Sequence, residues 1–204
     1  MSESDSVRAF FAIPSSPAWV ASARELLERL RRSLPQASWT KPTSWHLTLL
    51  FLGDVTREAA RRFAEEVGSL ARSSPRGQLS ASGAVVFPRH GPARILAAGF
   101  APSPLVEELV RLADDAHRAA SRCVPDSRFA DHKPFHPHVT FARVRRPWPP
   151  ADVDSFRREL EDWKFPLWPV DRCVLYESRL ERDGAVHTPM GEWLFAGEAP
   201  EARS

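Results

Sequence analysis

Helices and strands interleave along this chain in two similar halves, which predicts a protein of mixed helices and sheets whose two lobes face one cleft. Three observations carry that expectation. A short pattern (His, apolar, Thr, apolar) occurs twice, at His46-Leu47-Thr48-Leu49 and His138-Val139-Thr140-Phe141, 92 positions apart in a chain of 204. Each copy belongs to its own succession of predicted strands and helices. The composition, 43% hydrophobic and 26% charged, is that of an ordinary globular protein, and the length suits one sizeable domain or two closely joined lobes. Residues 1–204 are therefore read as one bilobal domain.

The elements follow in order. Val7 to Ile13 is short, apolar and aromatic, which fits a central strand ended by Pro14. Ser15 and Ser16 can cap a helix from Pro17 to about Arg32, with Val20, Leu26, Leu27 and Leu30 at helical spacings. Trp39 to Thr43 reads as an edge segment and Trp45 to Phe51 as a strand, turned at Gly53-Asp54. Thr56 and Glu58 open a second helix to about Arg72. Gln78 to Val86 and Arg94 to Phe100 form a strand pair across the Pro88–Pro92 turn. Ser103-Pro104 starts a third helix with Leu105, Leu109 and Leu112 on one face. A loop over 126–134 leads into a strand from His138 to Ala142, and Arg145 to Pro150 is a stiff connector. Asp152 to Trp163 is a fourth helix. Leu167–Glu177, Val186–Pro189 and Trp193–Phe195 are strand candidates, with Asp183-Gly184 a hairpin turn between the first two.

In an extended chain side chains alternate faces, so His and Thr of each pattern point one way, about two strand rises or roughly 7 Å apart. Leu47 and Leu49, or Val139 and Phe141, then point into a core. With 7 His and 6 Thr in the chain, random placement expects about 0.2 such His-x-Thr triplets, and two arise in roughly 2% of shuffles. Either histidine alone reads as a satisfied core or surface residue; the matching pair does not.

Composition excludes other classes. A net charge of +2 argues against a surface that coats nucleic acid, although 25 of the 28 basic residues are Arg, from coding bias or from the match of guanidinium to phosphate. Cys123 and Cys173 have no metal-ligand spacing and are expected to be reduced and buried. The acidic N-terminus Met1-Ser2-Glu3-Ser4-Asp5 and the early Pro14 resemble neither a signal peptide nor a membrane span, so a cytoplasmic protein is expected.

Two imidazoles over one substrate suit paired acid–base catalysis, one neutral to take a proton from water and one charged to give a proton to a leaving oxygen. Each such transfer contributes typically ~10²–10⁴ in rate, and two hydroxyls facing inward can hold non-bridging phosphate oxygens. The arrangement fits in-line opening of a strained phosphodiester.

These residues resemble those of the bacterial and archaeal RNA 2',3'-cyclic phosphodiesterases, also called 2'-5' RNA ligases, of the two-histidine phosphoesterase superfamily. The resemblance lies in His46-Leu47-Thr48-Leu49 with Leu50-Phe51-Leu52-Gly53, in the run from Lys133 to Arg143, in Arg8 to Ile13 and in Leu175 to Leu180. It implies an α+β bilobal fold, pseudo-two-fold, with two antiparallel sheets lining a V-shaped cleft and helices outside. It further implies a metal-independent enzyme without cofactor, acting as a monomer, that hydrolyses RNA 2',3'-cyclic phosphate ends to 2'-phosphomonoesters and reversibly joins 2'-5' linkages. The RNA partners would be tRNA halves, oligonucleotides or nucleotides. By that similarity His46 is the proton donor to the departing 3' oxygen, His138 is the proton acceptor that activates water, and Thr48 and Thr140 bind the phosphate. The symmetry of the pair leaves the two histidine roles open on chemistry alone.

Arg143 matches the family's arginine five residues after the second histidine, yet strict alternation puts it on the face opposite His138, so it reaches phosphate only if the strand bends. Phe11 is expected either to stack on a base or to pack in the core. His136, where the family often has Arg, could assist with phosphate charge, or join His132 and His138 at a metal that no carboxylate or Cys completes. His90, His117 and His187 carry no pattern and are expected to be solvated. Two rival functions remain: a phosphodiesterase for 2',5'-oligonucleotides or small cyclic nucleotides, and a non-catalytic module that binds RNA ends.

Overall fold

The computed structural model describes residues 5–35, 37–124, 129, 134–181 and 184–197. His132, Lys133, most of the predicted loop 126–134, Asp183 of the predicted hairpin turn and the first four residues lie outside them. Ten strands and four helices are described, in the order β1 (Ser6–Pro14), α1 (Pro17–Ser33), β2 (Ser38–Trp39), a 3₁₀ turn at Pro42–Ser44, β3 (His46–Thr56), α2 (Arg57–Ser73), β4 (Gly77–Leu79), β5 (Ala81–Phe87), β6 (Ile95–Phe100), α3 (Pro104–Cys123), β7 (His138–Arg143), α4 (Pro150–Asp162), β8 (Trp168–Val170), β9 (Arg172–Glu181) and β10 (Gly184–Leu194).

The strands make two four-stranded antiparallel sheets, ordered β10-β9-β1-β3 and β2-β7-β6-β5, and a small pair β4-β8. The α+β class and the antiparallel sheets are as expected, and β1 is interior to its sheet. β3 and β7, the two motif strands, lie against each other where the sheets meet. α2 packs on the first sheet with α3 beside it, and α4 packs on the second with α1 against it. Among the described residues no helix is long and apolar enough to cross a membrane.

Local chemistry explains the helix starts. Side-chain oxygens of Ser16, Thr56 and Ser103 accept from the backbone N–H of Trp19, Ala59 and Val106 at 3.2, 3.1 and 3.2 Å. Each satisfies one of the donors that the first turn leaves orphaned. Pro17 and Pro104 follow their caps, where a missing N–H costs nothing.

Aromatic rings brace the motif strands from behind. Trp45, the residue before His46, meets Phe141 of β7 at 5.1 Å, and Trp19 stands edge-on to Trp45 at 5.8 Å. Trp19 also stacks on Phe165 at 5.1 Å and touches Trp168 at 5.0 Å. The Trp168 indole N–H donates to the Pro14 carbonyl at 3.0 Å. Such pairs contribute about 0.5–1.5 kcal/mol each beyond the area they bury. Here they lock the end of β1, the start of β3 and the middle of β7 into one cluster.

Four expectations change, the first being that the predicted 167–177 strand is two, β8 and β9, broken at Asp171. Gly53-Asp54 is not a turn: β3 continues to Thr56, with Gly53 at φ 72°, a conformation that glycine adopts without steric cost. The 78–86 strand is broken at Ser80, so that Gly77–Leu79 pairs with β8 instead. The last two tail candidates form a single strand, whose register slips between Pro189 and Gly191.

Candidate active site

Alternation puts the motif side chains where the sequence places them. Leu47, Leu49, Val139 and Phe141 are buried, whereas His46, Thr48, His138 and Thr140 are partly exposed. All four polar residues line one cavity of about 670 Å³ between the sheets.

The two histidines are held alike. His138 Nδ1 donates to the His136 carbonyl at 2.6 Å, and a ring N–H of His46 donates to the carbonyl of Ser44, also two residues upstream. A carbonyl only accepts, so each clamp fixes a protonated nitrogen and leaves the other as a lone pair. An aromatic ring backs each imidazole: Phe10 stacks on His46 at 4.5 Å, and Phe87 lies 4.9 Å from His138. Burial, with the neighbouring His187, pushes the His46 imidazole down to about 3; the Ser44 carbonyl opposes this and His138 adds a little. Burial also lowers His138, against the His136 carbonyl, with His136 and the Arg143 guanidinium adding to the depression. Desolvation disfavours the charged ring, so both imidazoles are neutral in the free protein at neutral pH. A charge on His138 would disfavour one on His46, the smallest of the influences on that ring.

Arg143 lines the same cavity despite its parity. β7 pairs with β6 as Ala142 with Leu96 but Thr140 with Ala97, so Phe141 is an extra residue. This bulge buries Phe141 and Ala142 in succession and returns Arg143 to the face of His138. The Phe141 carbonyl is met by the backbone N–H of Thr40 at 2.8 Å.

Phe11 requires a correction. It is 0% exposed, edge-on to Phe63 at 5.9 Å and to Trp193 at 6.3 Å, so no base reaches it. β1 turns Phe10 to the cavity instead, and the extended chain forces its neighbour inward. His187, expected in solvent, is instead half-buried against Phe10 and His46. His117 is likewise engaged, with Nε2 3.0 Å from the Phe129 carbonyl, whereas His90 is exposed. His136 is exposed at the cavity rim, with Nδ1 3.4 Å from the Arg89 guanidinium. Among the described residues no group of three His, Cys, Asp or Glu could hold a metal ion. Cys123 and Cys173 are free and buried. Burial raises both thiols, Cys123 to about 11 with help from Glu66, which leaves no thiolate nucleophile at neutral pH.

Sequence reasoning missed Phe10, His187 and Phe87. Only Phe10 left a signal, in the pair Phe10-Phe11, one of which must face each way. The cleft thus offers two clamped lone-pair nitrogens, two hydroxyls and a guanidinium, a set suited to an anion and to moving protons around it.

Comparison with known proteins gives four matches. A family model described as LigT like Phosphoesterase matches residues 17–97. The RNA 2',3'-cyclic phosphodiesterase of Archaeoglobus fulgidus is 30% identical over 169 residues, covering 81% of this chain and 90% of its own. That of Thermotoga maritima is 28% identical over 193 residues, 94% of this chain and 97% of its own. In three dimensions the crystal structure of the Thermus thermophilus protein TT0787 superposes with a TM-score of 0.71 at 26% identity, covering 94% of this chain and 100% of that one.

Proposed function

This chain belongs to the LigT-like phosphoesterase family of enzymes, and from that premise we propose that it hydrolyses RNA ends bearing a 2',3'-cyclic phosphate to 2'-phosphomonoesters. The observation that carries the reading is the convergence of both His-x-Thr strands on one cavity, each histidine with the same carbonyl clamp.

The chemistry follows from the clamps. Water approaches phosphorus in line with the bond to the 3' oxygen, and the free nitrogen of His138 takes its proton as the new P–O bond forms. His46, charged in the complex, gives its proton to the 3' oxygen as that bond breaks. The 2' oxygen keeps the phosphate. Thr48 and Thr140 donate to the non-bridging oxygens, and Arg143 balances their charge. Ligation of 2'-5' ends is the same path with a 5' hydroxyl in place of water, and its reversal cleaves a 2'-5' linkage back to the cyclic phosphate. A core that runs unbroken beneath both sheets supports one bilobal unit over 1–204, and the two free thiols suit a cytoplasmic setting.

The test is a defined oligonucleotide with a 2',3'-cyclic end, the product isomer identified. A 2'-phosphate is expected, EDTA should leave the rate unaffected, and His46→Ala and His138→Ala should each lose at least ~10² in kcat with the fold intact. Faster turnover of a 2',5' dimer would move the substrate assignment. Binding without product, unchanged in His46→Ala, would reduce the cleft to a binding module.

A further inference from the structure

Beside the motif histidines stands a third imidazole with no part in that chemistry. β10 pairs His187 with Ser178 of β9, and alternation along β10 turns Ala185 and His187 to the cavity wall. The His187 ring is perpendicular to His46, with centroids 5.4 Å apart, and to Phe10 at 4.8 Å. Tyr176 closes the far side of the nest at 6.3 Å.

The two ring nitrogens differ. Nδ1 is sealed from solvent and has no hydrogen-bond partner among the described residues. A proton there would be a buried N–H without an acceptor, which is costly. The proton of the neutral ring therefore belongs on Nε2, at the edge left to the cavity. His46 is built the other way, because the Ser44 carbonyl satisfies one N–H and its charged form needs only one further acceptor, from a ligand. Rings this close do not both carry charge. Burial keeps both rings below their ordinary value, His46 at about 3. The titratable rings facing His187 are His46 from β3 and Tyr176 from β9. On β9, Glu177 is already engaged by Arg57 and Arg179.

We propose that His187 is a substrate-binding residue, a neutral Nε2–H donor to an oxygen of the same phosphate–ribose ring that His46 serves. Ring centres 5.4 Å apart bring two donors within reach of one five-membered cyclic phosphate. The assignment rests on the cyclic phosphodiesterase reading of the cleft.

The test compares wild type with His187→Phe, which keeps a flat ring without a donor, and His187→Gln, which keeps a donor that does not titrate. For a nucleoside 2',3'-cyclic phosphate, KM should rise about 10–100-fold in the Phe variant, the loss expected of one hydrogen bond to a charged group. The Gln variant should recover most of it, and the pH profile of kcat should keep its shape in all three. An unchanged KM in His187→Phe, a Gln variant no better than Phe, or a limb of the profile that moves in His187→Gln overturns the proposal. If wild type turns over no cyclic phosphate, the reading of the cleft has failed, and calorimetry with adenosine 2'-monophosphate judges His187 separately, with the same order of Kd expected. Imidazole nitrogen shifts in wild type give a readout that needs no variant to fold. An Nε2–H neutral ring at roughly pH 7 to 8 is expected, and an Nδ1–H or charged ring there overturns the assignment.

Discussion

Acidification tests the state of His46 in the free protein, and the structure sets the size of the effect. The folded imidazole is held at about 3, against 6.5 when exposed, chiefly by burial. Between those values the unfolded chain binds a proton that the folded chain refuses. Folding therefore loses stability as pH falls through 6.5, and the loss is complete near 3. At 1.36 kcal/mol per unit, His46 alone contributes a loss of about 2 kcal/mol on going to pH 5. His138 and His187, also lowered by burial, act in the same direction. The assay is urea unfolding of wild type and His46→Gln at pH 8 and pH 5. The change between the two pH values is the readout, so any constant packing defect in the variant cancels. Wild type should lose about 2 kcal/mol more than the variant. Equal losses would mean that the folded protein lets His46 charge freely, and the account of its neutral resting state would fall.

Two further substitutions separate neighbours that the sequence alone confuses. Phe11→Ala should cost about 3–5 kcal/mol in denaturant unfolding, since the ring fills a core site between Phe63 and Trp193. Phe10→Leu, which removes the ring stacked on His46, should lower kcat/KM by up to about tenfold; an effect from Phe11→Leu equal to or greater than that of Phe10→Leu would contradict the facing assigned to both. Arg143→Ala should lower kcat/KM about 10–100-fold, with Arg143→Lys recovering part of it; an unaffected rate would mean that the bulge at Phe141 turns the guanidinium away from the phosphate.

Period-two alternation made the motifs legible, because one buried face per strand leaves His and Thr no other side to occupy. It failed wherever a strand carries an extra residue. β3 has two, Leu49 and Leu52, read from partners that pass from Thr48 to Leu50 and from Phe51 to Gly53, and β7 has Phe141. Each bulge reverses the facing of everything downstream, and nothing in the local composition announces it. Hence Arg143 lands on the face that alternation denies it. His187 was illegible for a different reason. It is 141 positions from His46, and only the pairing of β10 through β9 and β1 to β3 brings the rings together. The helices were the easy part, since Ser16, Thr56 and Ser103 declare their caps in sequence.

The matching clamps raise the question of how either imidazole comes to carry a proton when substrate arrives, and the charge of the phosphate supplies an answer. At rest both rings are neutral, so both are bases. A phosphate anion at about 4 Å, with an effective dielectric constant of about 20, stabilises a charged ring by about 4 kcal/mol, or about three units. That returns His46 from about 3 to the neighbourhood of 6, within reach of a proton donor working near neutrality. His138 feels the same anion, and its own depression is again chiefly burial, with Arg143 the smallest contributor, so the anion alone does not tell acid from base. The substrate makes a proton donor of a ring that is a base at rest, and under the proposed mechanism that ring is His46.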